Sequence, residues 1–481
     1  MRDLYASVSS QALLCISPID GRYAEKTEKL RGIASEFGLI LYRLTVMVEI
    51  FIALSDDEDT PLRAFTRTER RRLRKIVANF SLADAQEIKA IEMSNWGPFM
   101  RTNHDVKAIE LWLRYKLGKT TLKDCLEWIH FGCTSEDVNN MAYGLMLRDM
   151  VTETMVPELD KIMSALKTFA GVNKYVAMLA ETHGQAATPT TLGKEFAVFV
   201  SRLRRQIGKL KNFRLSVKLN SASGNMNAMY AACPEVDWQA FSSRFIARLG
   251  KRASYRFEQT EISTQIESHD TYAELFDIIK RILTILIGFS QDVWSYISGE
   301  TIVQRPKEGE AGSSIMPHKV NPIDFENAEG NLGIAYAIME FFCRKLPISR
   351  RQRDLSDSTV ERAFGMSFAH CIVAFKSIVK GMEKIYANEE HIRQELIDHP
   401  EVLTEAIQTI LRRINYPNAY DALKQLARGK KITLEEIDIF IEGLNPELVD
   451  RTTKDWLKRL TPQSYIGIAP ELTEKVLAVA D

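Results

Sequence analysis

The chain has 481 residues, 45% hydrophobic and 26% charged, which is enough for two or three folded domains. Its 63 basic and 63 acidic residues give a formal net charge of zero, which argues against a general nucleic-acid or membrane-surface binder, since either would carry a basic excess. The scattered cysteines contain no Cys-x-x-Cys pair, which argues against a zinc site or redox dithiol and favours a reducing, cytoplasmic location: Cys15, Cys125, Cys133, Cys233, Cys343 and Cys371.

Residues 1–123 begin with a polar, loop-like stretch and continue with short helical patterns, so we expect an N-terminal helical domain there. No apolar core follows a basic start, so we expect no signal peptide. Near the end of this region, residues 101–105 form a polar cluster of Arg, Thr, Asn, His and Asp at a predicted helix end. Helix ends suit anions, but His104 alone also fits an ordinary surface or helix-start histidine.

Residues 124–385 have the longest helical patterns and are predicted to form a central bundle domain. Within it, residues 134–140 read Thr-Ser-Glu-Asp-Val-Asn-Asn, which fits a capped helix start as well as a site. A third polar cluster, residues 181–185 with 188–191, contains His183 and is also predicted at a helix end.

Three stretches of this region repeat apolar residues at the 3.6-residue period of a helix, over 196–210, 275–293 and 364–382. The second is apolar almost all round, which places it inside a bundle. We expect no membrane span from its most apolar part, 275–289, because it is short and contains Asp277, Lys280 and Arg281. Neither a series of alternating strands nor a glycine-rich dinucleotide turn is apparent.

The run Gly-Ser-Ser-Ile-Met-Pro-His-Lys-Val-Asn-Pro at 312–322 has neither helical nor strand periodicity. It concentrates hydroxyl, imidazole, ammonium and amide groups between chain breakers, which is typical of a catalytic loop. Further on, Arg353, Ser358 and Arg362 could clamp a phosphate, although an arginine-rich run also fits a solvated face.

Residues 386–481 are predicted as a C-terminal helical domain. Thr433 and Glu436 fit a capping box that opens a helix after a stop at Gly429. The histidines lack the His-Glu-x-x-His spacing of a metal site, and the chain has no Walker phosphate loop, so neither a metal nor nucleotide hydrolysis is indicated.

These motifs together resemble the adenylosuccinate lyase family, particularly its long bacterial form, within the fumarase/aspartase superfamily. The resemblance rests on blocks that recur in order over most of the chain and loosen over the final hundred residues: SPIDGRY at 17–23, TNHDVKAIE at 102–110, CTSEDVNN at 133–140, THGQ at 182–185, PEVDW at 234–238, TQIESHD at 264–270, GSSIMPHKVNPIDFENAEGN at 312–331 and SRRQRDLSDST at 349–359.

The resemblance implies an all-α fold of three helical domains, whose long central helices join four subunits in a homotetramer core of the twenty-helix type. It implies β-elimination of fumarate from adenylosuccinate and from the succinyl-carboxamide ribotide, without a cofactor. Active sites would form where loops of different subunits meet.

The resemblance also assigns roles to individual positions. Ser313 would be the general base and His183 the general acid. Glu326 would pair with that histidine. Substrate would be bound by Arg22, Tyr23, Asn103, His104, Asp105, Thr134, Ser135, Gln265, Lys319, Asn321, Arg353, Ser358 and Arg362.

The chain departs from the family pattern at Ala186, at Ser268, over 220–228 and in an extra stretch at 93–99. These departures concern local loop shape and substrate preference. A sister lyase acting on argininosuccinate, aspartate or malate would need no phosphate clamp, and a non-enzymatic helical scaffold would not need Ser313 and His183.

Overall fold

α-Helices build most of the chain. The computed structural model describes residues 13–250, 256–306, 316, 318–429 and 431–479. Within them the helices are α1 (Glu28–Ala34), α2 (Glu36–Asp56), α3 (Arg67–Ala78), α4 (Leu82–Met93), α5 (Asp105–Leu117), α6 (Ser135–Asp149), α7 (Val156–Val172), α8 (Leu192–Lys211), α9 (Asn227–Ala232), α10 (Trp238–Gly250), α11 (Asp270–Ser298), α12 (Ile323–Lys345), α13 (Ser356–Glu361), α14 (Phe364–Met382), α15 (Glu389–Asp398), α16 (Thr404–Arg413), α17 (Ala419–Ala427), α18 (Leu434–Glu442), α19 (Arg451–Lys458) and α20 (Ala469–Ala478).

Short strands add three two-stranded sheets to the described part of the chain. β1 (Ala177–Thr182) and β2 (Gln185–Thr191) are antiparallel, as are β5 (Ile302–Gln304) and β6 (Ile385–Ala387). β3 (Arg214–Val217) and β4 (Arg256–Gln259) are parallel. The all-α prediction is confirmed, with these strands as a small addition to it.

The three long helical patterns are confirmed, because they lie within α8, α11 and α14. The helical patterns before residue 124 were expected to be shorter than those of the central region, but α2 has 21 residues and its interior is mostly buried. By length and composition, Glu36–Asp56 and Ser356–Met382 could each cross a membrane, but both are mostly buried, which is typical of core helices. The predicted Thr433–Glu436 capping box is present at the start of α18.

The chain divides into two units. Unit 1 comprises residues 1–159, 206–284 and 330–376. Its core includes α2 packed on α6, and a buried cluster of aromatic rings in which Phe276, Phe342 and Phe364 have centroids 5.1 Å apart. Rings of this size bury large apolar areas and so dominate the stability of the core that carries the site below.

Unit 2 comprises residues 160–205, 285–329 and 377–481. Phe196 stacks near Phe169 and Phe289, with ring centroids 4.2 and 5.6 Å away. A separate apolar cluster of helices α16 to α19 is centred on residues such as Leu411 and Ile441. Helices α7, α8, α11, α12 and α14 each contribute residues to both units.

Candidate functional site

Two predicted polar clusters lie at helix N-termini of unit 1. His104 caps α5, where its Nδ1 accepts a hydrogen bond from the backbone N–H of Lys107 at 3.3 Å. Thr134 caps α6, and its backbone N–H donates to the Asp137 carboxylate at 2.8 Å. The Nε2 atom of His104 lies 3.4 Å from the hydroxyl of Ser135, so the two helix starts face one another. The residues that cap these two helices are therefore also residues that the sequence predicted for the site.

A cavity of about 900 Å³ opens beside these helix starts. It lies entirely within unit 1, and its lining contains seven of the predicted site residues: His104, Asp105, Thr134, Ser135, Gln265, Arg353 and Ser358. Arg43, Asn139, Arg350, Arg351, Gln352, Asp354 and Leu355 complete the lining. Cationic and hydroxyl groups thus converge here from stretches of sequence that are far apart.

Asp105 joins two arginines at this cavity. Its Oδ2 atom is 2.7 Å from Nη1 of Arg43 and 3.0 Å from Nη2 of Arg362. Burial would raise the pKa of Asp105, but the Arg43 guanidinium and a backbone N–H outweigh burial, and the pKa lies below its ordinary value. The carboxylate is therefore charged and holds both cations in place.

Arg362 also donates from Nη1 to the hydroxyl of Ser358 at 2.7 Å. Arg353 is held from the other side, with its Nη1 atom 2.6 Å from Oε2 of Glu136 and 3.2 Å from Oε1 of Gln265. Of the predicted trio, Arg353 and Ser358 therefore line this cavity, and Arg362 is joined to it through its hydrogen bond to Ser358.

A buried ion pair holds the start of α6 in place next to Thr134. Nζ of Lys218 lies 3.0 Å from Oδ1 of Asp137, and both side chains are fully buried. The same carboxylate accepts from the backbone N–H groups of Asn220 and Ser221 at 3.0 and 3.2 Å. Asp137 therefore ties the start of α6 to the 220–228 turn, which departs from the family pattern.

That turn also contacts Gln265, whose Nε2 donates to the backbone oxygen of Ala222 at 2.9 Å. Gly224 lies in the turn at φ +81°, and a Cβ there would come 2.1 Å from the backbone oxygen of Ser263. Glycine is required at this position because both the conformation and the close approach exclude a side chain. The turn thereby keeps Gln265 at the cavity wall.

Behind the cavity, His269 is buried beside Glu361, with Nε2 3.5 Å from Oε1. Burial lowers the pKa of His269 and raises that of Glu361, so their environment favours the neutral forms. In the part of the chain that the structure describes, no group of three or more His, Cys, Asp or Glu side chains could hold a metal ion.

The remaining predicted residues of unit 1 lie outside the set that lines this cavity. Asn103 precedes the α5 cap at φ +50°, and its side-chain oxygen accepts from Arg101 at 3.0 Å. Arg22 and Tyr23 lie in the turn before α1, where the backbone N–H of Tyr23 donates to Pro18 at 2.8 Å. A smaller cavity of about 300 Å³ nearby is lined by Asp20 and Arg362, among others.

His183 belongs to unit 2 and lies in a β-hairpin, not at a helix end as predicted. His183 and Gly184 form the two-residue turn between β1 and β2, with φ of +57° and +67°. Positive φ at both positions is what a type I′ hairpin turn requires. The turn presents His183 on the surface of the chain.

The 312–322 loop is only partly described. Ser313 lies outside the described residues, as do Gly312 and Ser314. Lys319 is exposed in a turn before α12, and Asn321 is half-buried at its approach. Glu326, in the first turn of α12, accepts a hydrogen bond from the Trp294 indole at 3.1 Å. Its predicted pairing with His183 stays a prediction.

Sequence reasoning missed two residues that organise the cavity. Arg43 is a buried cation in the mostly apolar helix α2, and Glu136 is a buried carboxylate in the first turn of α6. A charged residue on the apolar face of a long helix was the available signal for Arg43, because a buried charge needs a partner. Glu136 gave no such signal, because acids are common in a first helical turn.

Comparisons with known proteins agree over nearly the whole chain. The profile of the Lyase family matches residues 21–337, and that of the adenylosuccinate lyase C-terminal family matches residues 349–466. The chain is 44% identical to adenylosuccinate lyase of Legionella pneumophila (strain Corby), over 96% of this chain and 98% of that protein. It is 45% identical to adenylosuccinate lyase of Dictyostelium discoideum, over 95% and 97%.

Solved structures show the same fold at low identity. Fumarate lyase from Mesorhizobium sp. BNC1 has a TM-score of 0.71 at 16% identity, covering 94% of this chain and 98% of that one. The 3-carboxy-cis,cis-muconate lactonizing enzyme from Pseudomonas putida has a TM-score of 0.69 at 17% identity, covering 94% and 96%.

Proposed function

This chain belongs to the adenylosuccinate lyase family, and we propose that it cleaves adenylosuccinate to AMP and fumarate. We further propose that the same site cleaves the succinyl-carboxamide ribotide of purine biosynthesis. The observation that carries the proposal is identity of 42–45% to adenylosuccinate lyases over nearly the whole chain. No cofactor or metal takes part in the proposed reaction.

The unit 1 cavity supports the nucleotide half of this proposal. A planar guanidinium group can bind two phosphate oxygens at once, and Ser358 adds a hydroxyl beside Arg362. We assign Arg353, Ser358 and Arg362 to the phosphate, and the helix-start hydroxyls of Thr134 and Ser135 to the succinyl group. His104 would orient the ligand between them, because its Nε2 faces Ser135.

The proposed chemistry needs a base, an acid and an anion clamp. Ser313 would take a proton from the succinyl carbon next to a carboxylate, leaving a doubly charged aci-carboxylate. The C–N bond then breaks, its electron pair passes to the departing nitrogen, and His183 protonates that nitrogen. Lys319 and Asn321 would stabilise the intermediate by binding its carboxylate oxygens.

A hydroxyl is a weak base, so Ser313 must be activated by its surroundings in the closed site. Histidine suits the acid role because its ordinary pKa lies near neutrality. The hairpin position of His183 supports this assignment, since a two-residue turn presents the imidazole at a defined place.

We also propose a homotetramer in the cytoplasm, with sites shared between subunits and no nucleic acid as a partner. Exposed large apolar residues on long helices support an oligomer, because such residues mark association surfaces when they line one face. Ile334 and Phe341, two turns apart on α12, are 47% and 45% exposed in the single chain.

A steady-state assay tests the function. The purified protein should consume adenylosuccinate and release fumarate in equal amounts, and should do the same with the succinyl-carboxamide ribotide. Argininosuccinate is the control substrate, because it has the same succinyl-nitrogen linkage but no phosphate. Failure with both purine substrates, or preference for argininosuccinate, would reject the assignment.

A further inference from the structure

We propose that Glu136 is a positioning residue that fixes the guanidinium of Arg353 so that it can bind the phosphate of the ligand. This inference rests on the proposed function, in which Arg353 contacts phosphate, and it assigns Glu136 a part that the family resemblance did not. Arg353 touches the ligand, whereas Glu136 acts only through Arg353.

The geometry restrains Arg353 from two directions. Nη1 of Arg353 forms an ion pair with Oε2 of Glu136 at 2.6 Å and donates a hydrogen bond to Oε1 of Gln265 at 3.2 Å. An ion pair and a hydrogen bond on one nitrogen together restrain the position and orientation of the guanidinium. A fixed plane matters because paired hydrogen bonds to phosphate depend on the orientation of the guanidinium fork.

Glu136 is itself held firmly. It is the second residue of α6, where the helix dipole favours a negative charge. Its Oε2 atom also lies 3.4 Å from the Nδ2 atom of Asn139 in the next turn. Asp137, the next residue, anchors the helix start to Lys218 and to the 220–228 turn. The start of α6 is therefore fixed, and through Glu136 it determines where the Arg353 guanidinium lies.

The Glu136 carboxylate in turn depends on Arg353 for its stabilisation, because the carboxylate is buried. The Glu136 side chain is 1% exposed and that of Arg353 is 13% exposed. Burial raises the pKa of Glu136, and Arg353 opposes that rise. In the described part of the chain the other carboxylate oxygen, Oε1, is buried without a hydrogen-bond partner. The pair with Arg353 is thus the main contact that keeps this carboxylate in place.

Removing the carboxylate would have two opposing effects on an anionic ligand. The cavity would become more positive, which favours phosphate, but Arg353 would lose its orientation. We expect orientation to dominate, because Glu136 does not itself line the cavity, whereas the paired hydrogen bonds of Arg353 to phosphate depend on the orientation of its guanidinium. The sign of the change in affinity therefore discriminates between the two effects.

The test compares Glu136→Gln with Arg353→Ala and with the double variant, using AMP binding by calorimetry. Glu136→Gln should weaken AMP binding about tenfold, the scale of one charge-assisted hydrogen bond. In the Arg353→Ala background the same change should have little further effect, which a general structural defect would not reproduce. Adenosine, which lacks the phosphate, should bind both single variants as it binds the parent protein.

Glu49→Gln is the matched control. Glu49 is also a buried carboxylate of unit 1 paired with an arginine, with 3.0 Å between its Oε1 and Nε of Arg74, but neither residue lines the cavity. AMP affinity should be unchanged in this variant. Should Glu136→Gln fail to fold, Glu136→Asp keeps the charge on a shorter side chain and should weaken AMP binding in the same direction.

Equal or tighter AMP binding by a folded Glu136 variant would overturn the inference, as would equal losses in both Arg353 backgrounds. If the parent protein turns over adenylosuccinate and the Glu136→Gln variant binds AMP as tightly as the parent does, only the positioning role is rejected. Parent protein that neither binds AMP nor turns over adenylosuccinate would reject the proposed function itself.

Discussion

At the scale of single residues, each arginine of the predicted phosphate trio has a carboxylate beside it. Asp105 holds Arg362, and Glu136 holds Arg353. This pairing is compatible both with the proposed binding of phosphate at the cavity and with a formal net charge of zero for the chain. The arginines are placed by the protein before a ligand arrives, so less conformational entropy is lost on binding.

Ser313→Ala and His183→Ala should each lower kcat by at least about a hundredfold, the scale that general acid–base catalysis supplies. Circular dichroism and the oligomeric state should be unchanged, because His183 is exposed at a hairpin turn and Ser313→Ala removes only a hydroxyl group. Near-normal turnover by either folded variant would contradict the role assigned to that residue.

Lys218→Met should lower the free energy of unfolding by about 3–5 kcal/mol, since it leaves the buried Asp137 carboxylate without its cation. Denaturant unfolding at one protein concentration measures this change. Lys89→Met is the control, because Lys89 is partly exposed and its surface pairs with Glu36 and Glu92 should contribute at most about 1 kcal/mol. Equal losses in both variants would argue against a special role for the buried pair.

The sequence located many site residues but not what holds them. Thr134 was predicted as a helix cap or a site residue, and His104 as a surface or helix-start histidine or a site residue. The structure places both at helix starts and at the cavity. Arg43 and Asp137 act through partners 62 and 81 positions away in the chain. Such contacts depend on tertiary packing, which local patterns do not contain.

At the scale of elements, helix starts and one hairpin turn carry the polar groups. The sequence anticipated the helices because their apolar residues repeat at the helical period. It missed the hairpin of His183, because β1 and β2 are short and only their turn carries a recognisable glycine. It also failed to indicate the length of α2, because apolar residues occur on nearly every face of that helix and polar residues do not alternate with them at the helical period.

The capping box of α3 is expected to make the stability of the fold depend on pH. Arg63 lowers the pKa of Glu69 to about 2, and Glu69 also accepts from the cap residue Thr66. A depressed pKa means that ionised Glu69 stabilises the fold above its unfolded value near 4.5, and that this stabilisation is lost as pH falls towards 2.

Glu69→Gln should therefore lower the free energy of unfolding at pH 7 by roughly 1–3 kcal/mol, with the difference from the parent shrinking between pH 4.5 and pH 2. Unfolding curves across this range measure it. Glu58→Gln, which changes an exposed glutamate of the same unit, is the control for net charge. A difference that stays constant with pH would rule out the proposed linkage.

At the scale of the whole molecule, the predicted residues fall into separate parts of the chain. The residues proposed to bind the phosphate belong to unit 1, as do Thr134 and Ser135, whereas His183, Lys319 and Asn321 belong to unit 2. Active sites shared between subunits of a tetramer would bring such groups together. The domain boundaries near residues 123 and 385 likewise stay a prediction.

Mixing inactive Ser313→Ala and His183→Ala proteins should partly restore activity, because some sites would then receive an intact base and an intact acid from different subunits. Light scattering should show a mass of four chains before and after mixing. No recovery after confirmed exchange of subunits would count against shared sites.

A crystal structure of the Ser313→Ala protein with adenylosuccinate tests the central claim most directly. The account predicts the phosphate against Arg353, Ser358 and Arg362, the succinyl group beside Thr134 and Ser135, and an imidazole of residue 183 from one of the subunits at the scissile nitrogen. Substrate bound outside this cavity, or a scissile bond with residue 183 of every subunit out of reach, would contradict it.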